Sequence, residues 1–428
     1  MNANAFEKKS VIGVVIGFLL AVLSMRLMSN APIPYVLEVE AAGILFLLMF
    51  VVVRYLFYPL YCGRFRASGY EKYIFLLMCL PFYSAWRSYV VFGQPLIYGV
   101  LCQRYIWLSA TALLLINCFR YNWVGLKDIE KSMVVLSWLC LGCYVLVQLF
   151  VNPANYAGEL QFVARSSVGY LFKFETAPLV FGFFYYLMKW FVRRSHAYFF
   201  AVIPFLSMLL FIDKRSLHLS MIMAILLTIW IYFDHRKLAS VVFKLFFVVT
   251  SILVMVYLAN PEYLDKSVTR FNEAVSVVLT AEKGDDDSSN ARIGEVLIAL
   301  PYIQENWMLG NGDVSSQWNG GYESILGYFY TSDIGMIGAL FVFGLIGVAL
   351  VYGQFFFVNI GQLSAVNLSY APFSLASFAV VLTLFFQSAI KGDIIFSPAQ
   401  VLFFIVIVNQ IASPKLVTMR NGGTKRMR

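Results

Sequence analysis

Apolar residues fall along this chain in runs of roughly 17 to 22, the length a helix needs to cross about 30 Å of hydrocarbon. Polar residues crowd into the stretches between. The runs lie near 11–29, 39–59, 73–90, 100–118, 132–151, 174–192, 197–212, 217–233, 239–259, 333–356, 370–390 and 396–412. A barrel would show short segments alternating between apolar and polar, and these are missing, so the backbone must close its hydrogen bonds within helices. The pattern predicts an all-α, polytopic integral membrane protein of about 12 transmembrane helices. The run at 11–29 is read as a retained span and not a cleaved signal peptide, because no A-x-A-like site follows it.

One interruption is too long for a connector. The organisation expected is a membrane bundle over 1–259 (spans 1–9), a long outer loop over 260–332, spans 10–12 over 333–412, and a basic tail over 413–428. Two helices are predicted within the loop. The first runs near Pro261 to Thr280, with Leu264, Val268, Phe271, Val275 and Leu279 at helical spacing. The second follows the N-cap candidates Ser288, Ser289 and Asn290, carries Ile293, Val296, Leu297, Leu300 and Ile303, and ends at Gly310 to Gly312.

Composition supports this reading. Hydrophobic residues make up 61% of the 428 and charged residues 13%, about half the usual share of a soluble domain. The net charge of +9 would suit nucleic acid, but its distribution suggests another cause. With both termini in the cytoplasm, the inner segments hold most of the 32 Lys and Arg, and most of the 23 Asp and Glu fall outside. The charge is therefore read as membrane orientation, contact with membrane lipids is expected, and no nucleic acid is. Nine spans precede the long loop, an odd number, which puts that loop on the outer face. Cys140 and Cys143 are read as helix packing and not as a redox pair.

Against that background, outer basic residues stand out. Lys214, Arg215 and His218 follow Asp213 between two apolar runs, at a depth where ionisable groups usually face a watery cavity; snorkelling to headgroups is the plainer alternative. Arg215 and His218 share a helix face if the next helix begins by residue 215. Arg292 falls in the first turn of the loop's second helix as predicted, where free N–H groups and a guanidinium would suit phosphate; pairing with Glu295 or Glu282 is its bland reading. Arg165 and Lys173 bracket a short Ser-Ser-Val-Gly segment and could line a glycan or phosphate cavity, with Glu175 needing one of them as partner. Arg270 is a further outer cation, as are Arg87 and Arg104. Asp285 to Asp287 are read as a solvated turn, and no metal or other cofactor is expected.

Three segments, taken in order, resemble the O-antigen polymerase and ligase superfamily. Lys214-Arg215-Ser216 leads into an apolar span. Ala291-Arg292-Ile293-Gly294 leads to Asn306-Trp307-Met308-Leu309-Gly310-Asn311-Gly312. Asp333-Ile334-Gly335 through Gly344-Leu345-Ile346-Gly347 is similar to that family's Gly-rich span. The resemblance implies a GT-C-like, metal-independent glycosyltransferase of the bacterial inner (plasma) membrane. It would use undecaprenyl-pyrophosphate-linked oligosaccharide as donor and acceptor, with a chain-length regulator and a flippase as further partners.

By position, Arg215 and Arg292 match the arginines that grip the pyrophosphate in that family. Its ligases carry a histidine before the Gly-rich span. Here the stretch reads Gly320-Gly321-Tyr322-Glu323-Ser324, with Glu323 nearest the place. The departure favours a repeat-unit polymerase, with Glu323, or Asp333 or His218, as the acceptor base and Tyr322 and its neighbours supporting sugar rings. The alternatives are an O-antigen ligase transferring to a lipid A-core acceptor and a lipid-linked oligosaccharide flippase.

Overall fold

The computed structural model describes residues 3–27, 36–57, 68–156, 163–166, 169–212, 214–232, 250, 287–358 and 371–412. The ninth run (239–259), the loop's first helix and the basic tail lie outside these, apart from residue 250. The protein is mostly helical. Helix α1 covers Ala3–Ser24 and α2 Val36–Val51, the latter continued by a π-helical turn. Gly69–Met78 (α3) and Leu80–Phe92 (α4) follow, then Leu96–Cys102 (α5), Ala110–Arg120 (α6) and Leu126–Phe150 (α7). After a hairpin come Ala177–Arg193 (α8), His196–Phe211 (α9) and Arg215–Tyr232 (α10). The loop supplies Asp287–Asn306 (α11) and Tyr322–Leu326 (α12). Gly335–Gly353 (α13), Ala371–Ile390 (α14), Asp393–Phe396 (α15) and Ala399–Ala412 (α16) complete the chain.

Among the described residues, four helical stretches are long and apolar enough to cross a membrane: Gly69–Phe92, Leu126–Phe150, Gly335–Phe357 and Ala371–Ile390. Leu96–Cys102 with Arg104–Arg120, bent by 49°, is a fifth if the pair forms one span, and four apolar helices are shorter. The centre belongs to α14 and α16. Val401 to Ile405 are wholly enclosed, and α14 packs on α8, α10 and α16. A helix that is apolar all round belongs at such a centre. Peripheral helices instead expose large apolar side chains, among them Leu45, Leu149, Phe150 and Phe200, as a lipid-facing surface requires.

Two departures from the expected helices matter. Val163–Ser166 (β1) and Gly169–Phe172 (β2) pair as an antiparallel hairpin, in which Val163 pairs Phe172 and Arg165 pairs Tyr170. The span over 333–356, expected as one helix, is broken at Gly344 (φ 64°, ψ −175°). The break is filled by the loop. Asn311 N donates to Phe341 O (2.8 Å) and Gly312 N to Val342 O (2.9 Å), while Leu345 N donates to Trp307 O (2.9 Å) and Ile346 N to Met308 O (3.3 Å). Non-helical backbone at membrane depth is tolerated only where protein satisfies it, and residues 307–312 do so here. Cβ atoms on Gly344 or Gly310 would meet the other residue's nitrogen at 2.4 Å, so both positions need glycine for space as well as for φ.

Contacts also sort by side. Arg120 pairs with the buried Glu71 (2.8 Å), which also accepts from Tyr55 Oη (2.7 Å), and Arg54 bonds Asn117 (3.1 Å) and Tyr121. All lie on segments that the charge pattern assigns to one side. Gln94, Cys102, Asp313, Ser332 and Gly392 lie on segments assigned to the other, and they too meet among themselves.

Candidate functional site

The loop between α11 and α13 is drawn onto α4. Buried Arg87 donates through Nε to Gly310 O (2.8 Å) and through Nη2 to Asn306 Oδ1 (2.9 Å). Tyr83 Oη donates to Leu309 O (2.7 Å). Enclosed Gln94 bridges the next residues, donating to Asp313 O (3.0 Å) and accepting from Ser315 N (2.7 Å). Hydrogen bonds to charged groups are worth about 1.5–3 kcal/mol each, so Arg87 alone holds the loop strongly.

Between this clamped loop and the bend at Gln103 lies a cavity of about 500 Å³. Its walls include Cys102, Arg104 and Tyr105 from the bend, and Asp313, Glu323, Tyr328 and Tyr330 from the loop. Arg104 lies over the Tyr105 ring (4.4 Å) and donates to Leu101 O (3.0 Å) and Tyr105 Oη (2.6 Å). Burial pushes the Asp313 carboxyl up to about 6, against hydrogen bonds from Gln103, the Cys102 thiol and Val314 N–H that pull it down.

Behind the wall formed by 328–332 sits a second acidic group. Glu295 on α11 is almost wholly enclosed; its Oε1 accepts from Tyr330 N (3.1 Å) and its Oε2 is buried with no hydrogen-bond partner. Burial, helped by the Asp333 carboxylate, raises it to about 7, while the Tyr330 N–H and Arg292 act the other way. A carboxyl raised in the fold stabilises it fully below the unfolded value, near 4.5, and that stability is lost as pH climbs through 7. The wild-type melting temperature in detergent should therefore fall across that window. Glu295→Gln should remove the fall and gain on the order of 2 kcal/mol at pH 8. A variant that melts lower than wild type at pH 8 contradicts this.

The residues singled out from sequence are placed as follows. Tyr322 and Glu323 lie on α12 and line the cavity, Glu323 exposed. Tyr322 is buried, its ring edge-on to Phe329 (5.3 Å) and Phe341 (5.8 Å) and its hydroxyl on Gly312 O (2.8 Å), so it props the loop. Exposed Tyr328 and Tyr330 present open rings. Asp333 and Arg292 both act on Glu295. Helix α11 already includes Asp287 and both serines, which puts Arg292 beyond the free N–H groups of a first turn. Helix α10 starts at Arg215, three positions before His218. Lys214 O accepts from Leu217 N (3.0 Å) and His218 N (3.1 Å), and His218 Nε2 bonds Leu209 O (2.9 Å). Half-buried Lys173 leads from the hairpin to α8, and Glu175 takes a bond from Gln400 (3.2 Å). The side chains of Arg165 and Arg215, and all of Arg270, lie outside the described residues.

A multi-pass membrane protein whose 307–332 loop repairs a broken span and walls a polar cavity is thereby defined. Residues 199–352 match the family described as O-antigen ligase, whose members are membrane glycosyltransferase-like enzymes, and this supports the O-antigen polymerase and ligase superfamily. The match runs from α9 to the end of the broken span and includes Arg215, Arg292, Glu323 and both paired glycines. No curated protein and no solved structure matches the chain.

Proposed function

We propose that the protein is a polysaccharide repeat-unit polymerase of about a dozen spans with cytoplasmic termini in a bacterial inner membrane. It transfers a glycan from undecaprenyl pyrophosphate to the distal sugar of a second lipid-linked repeat. The observation that carries the reading is the 500 Å³ cavity on the outer loop, with carboxylates and open tyrosine rings in its wall, inside the segment that matches the family. A neighbouring cation, Arg292, lies one helical turn from Glu295, which bonds the cavity wall.

In this mechanism the anomeric carbon of the donor glycan is the electrophile and the lipid pyrophosphate leaves. Arg292 and Arg215 hold the pyrophosphate and stabilise the charge that grows on it, a role that needs preorganised cations and no metal. Glu323 lines the cavity and is the acceptor-side group to which the resemblance points. A ligase would use the same donor chemistry with a lipid A-core acceptor. The loop's lack of histidine favours the polymerase. The length distribution of surface glycan in a strain lacking this chain tests the reading: single repeats without a ladder are expected.

A further inference from the structure

We propose that the cavity between the Gln103 bend and the 313–332 loop receives the terminal sugar of the acceptor, and that the Asp313 carboxylate takes the proton of its attacking hydroxyl. The inference rests on the polymerase reading and specifies its acceptor side.

The volume suits a small-molecule site, for which about 300–1,000 Å³ is usual. Its chemistry suits an uncharged sugar. Carboxylates and hydroxyls can bond ring hydroxyls, and the exposed Tyr328 and Tyr330 rings offer faces for C–H groups. Arg104 is the cation in the wall, and it is engaged with Tyr105 and Leu101, so nothing in the lining calls for an acidic ligand.

Two carboxylates reach the cavity, and they are held differently. Glu323 stands exposed on a five-residue helix. Asp313 is fixed on three sides: its N–H donates to Ser84 Oγ (3.0 Å), its carbonyl accepts from Gln94 Nε2 (3.0 Å), and its Oδ2 lies 3.7 Å from the Cys102 thiol. Ser84 is itself tied to Gln103 (2.7 Å). A base must be held where the proton will be, and Asp313 is the better held of the two. Its burial also makes it more basic than an ordinary carboxylate while leaving it ionised at neutral pH, as a general base requires.

The step balances. The acceptor oxygen forms a bond to the anomeric carbon, and the anomeric C–O bond to phosphate breaks. The electron pair leaves with the pyrophosphate, and the hydroxyl proton passes to Asp313 and then to water. The groups facing Asp313 are Cys102, Arg104, Tyr322 and Glu323. Burial and the Asp313 charge hold the Tyr322 hydroxyl well above 10, so it is silent near pH 6.

The test introduces Asp313→Asn, Asp313→Glu, Glu323→Gln and Arg292→Ala into a strain lacking the chain. It follows the glycan ladder, protein level in the membrane, binding of labelled lipid-linked repeat to the purified protein, and rate against pH in membranes. Asp313→Asn should slow polymerisation at least about 100-fold with donor binding intact, within the usual contribution of a general base, and Asp313→Glu should restore part of it. The wild-type rate should fall as pH drops through about 6, a limb kept in Glu323→Gln and lost from the residual rate of Asp313→Asn. A normal ladder in Asp313→Asn beside none in Arg292→Ala overturns the Asp313 assignment and leaves the polymerase reading standing. A normal ladder with no chain present at all overturns both. Should Asp313→Asn fail to accumulate, a wild-type profile without the acid limb overturns the assignment by itself.

Discussion

Arg292→Ala should abolish long glycan chains while the protein remains in the membrane at its normal level. Arg292 is partly exposed on α11, so its loss removes no buried contact on which the fold depends. What it should remove is a guanidinium placed where charge develops as the glycosidic bond to pyrophosphate breaks. Removing one such group typically costs about 10²–10³ in rate. Arg292→Lys should recover only part of this, because an ammonium keeps the charge but cannot grip two phosphate oxygens in a plane. There is a local cost in the other direction. Arg292 lowers the neighbouring Glu295, so its loss should raise that carboxyl further and sharpen the decline in stability towards alkaline pH. Ladder length on a gel and membrane abundance on a blot separate the two effects. Full-length chains from Arg292→Ala would remove Arg292 from the donor site.

Gly344→Ala should be severely damaging for a change of one methyl group. At φ 64° and ψ −175° Gly344 occupies backbone that side chains avoid, at a strain of about 1–3 kcal/mol. The added carbon would also lie 2.4 Å from Gly310 N and Met308 O, and overpacking adds about 1–3 kcal/mol more. Residues 307–312 would be forced away from the broken span, unmaking the four backbone bonds that fill it. Because the same segment takes Arg87's bond at Gly310 O and leads into Asp313, the cavity should lose its shape with the break. The expected result is a large drop in detergent melting temperature together with lost polymerisation. Gly142→Ala, on α7 with open space around its Cβ position, should be near neutral. Equal melting temperatures for the two variants would show that the break does not depend on glycine.

The sequence reveals the spans more readily than the site. Run length marked apolar helices along the chain, because a membrane leaves the backbone few options, and among the described residues four, or five with the bent pair, are long enough to cross one. Hydropathy cannot see a break whose residues, Gly344-Leu345-Ile346-Gly347, are as apolar as the helix around them, and the partner that repairs it lies over thirty residues away. The hairpin at 163–172 escaped notice for a related reason: it lies between spans, where no periodicity separates four-residue strands from a loop. The charge pattern marks Arg87 and Arg104 as cations on segments expected outside. That one clamps the loop and the other walls a cavity follows only from the fold. Asp313 had one local signal, an acid directly after the Gly310-Asn311-Gly312 turn, but its neighbours Cys102 and Gln94 come from more than 200 positions away.

The measurement that bears most directly on the central claim is the gel profile of surface glycolipid and lipid-linked glycan from a strain lacking this chain. Polymerase activity predicts single repeats at the surface, no ladder, and restoration of the ladder by the wild-type chain. Long lipid-linked chains accumulating on the outer leaflet, beside bare lipid anchors, would contradict it in favour of a ligase, and repeats held on the cytoplasmic leaflet would contradict it in favour of a flippase.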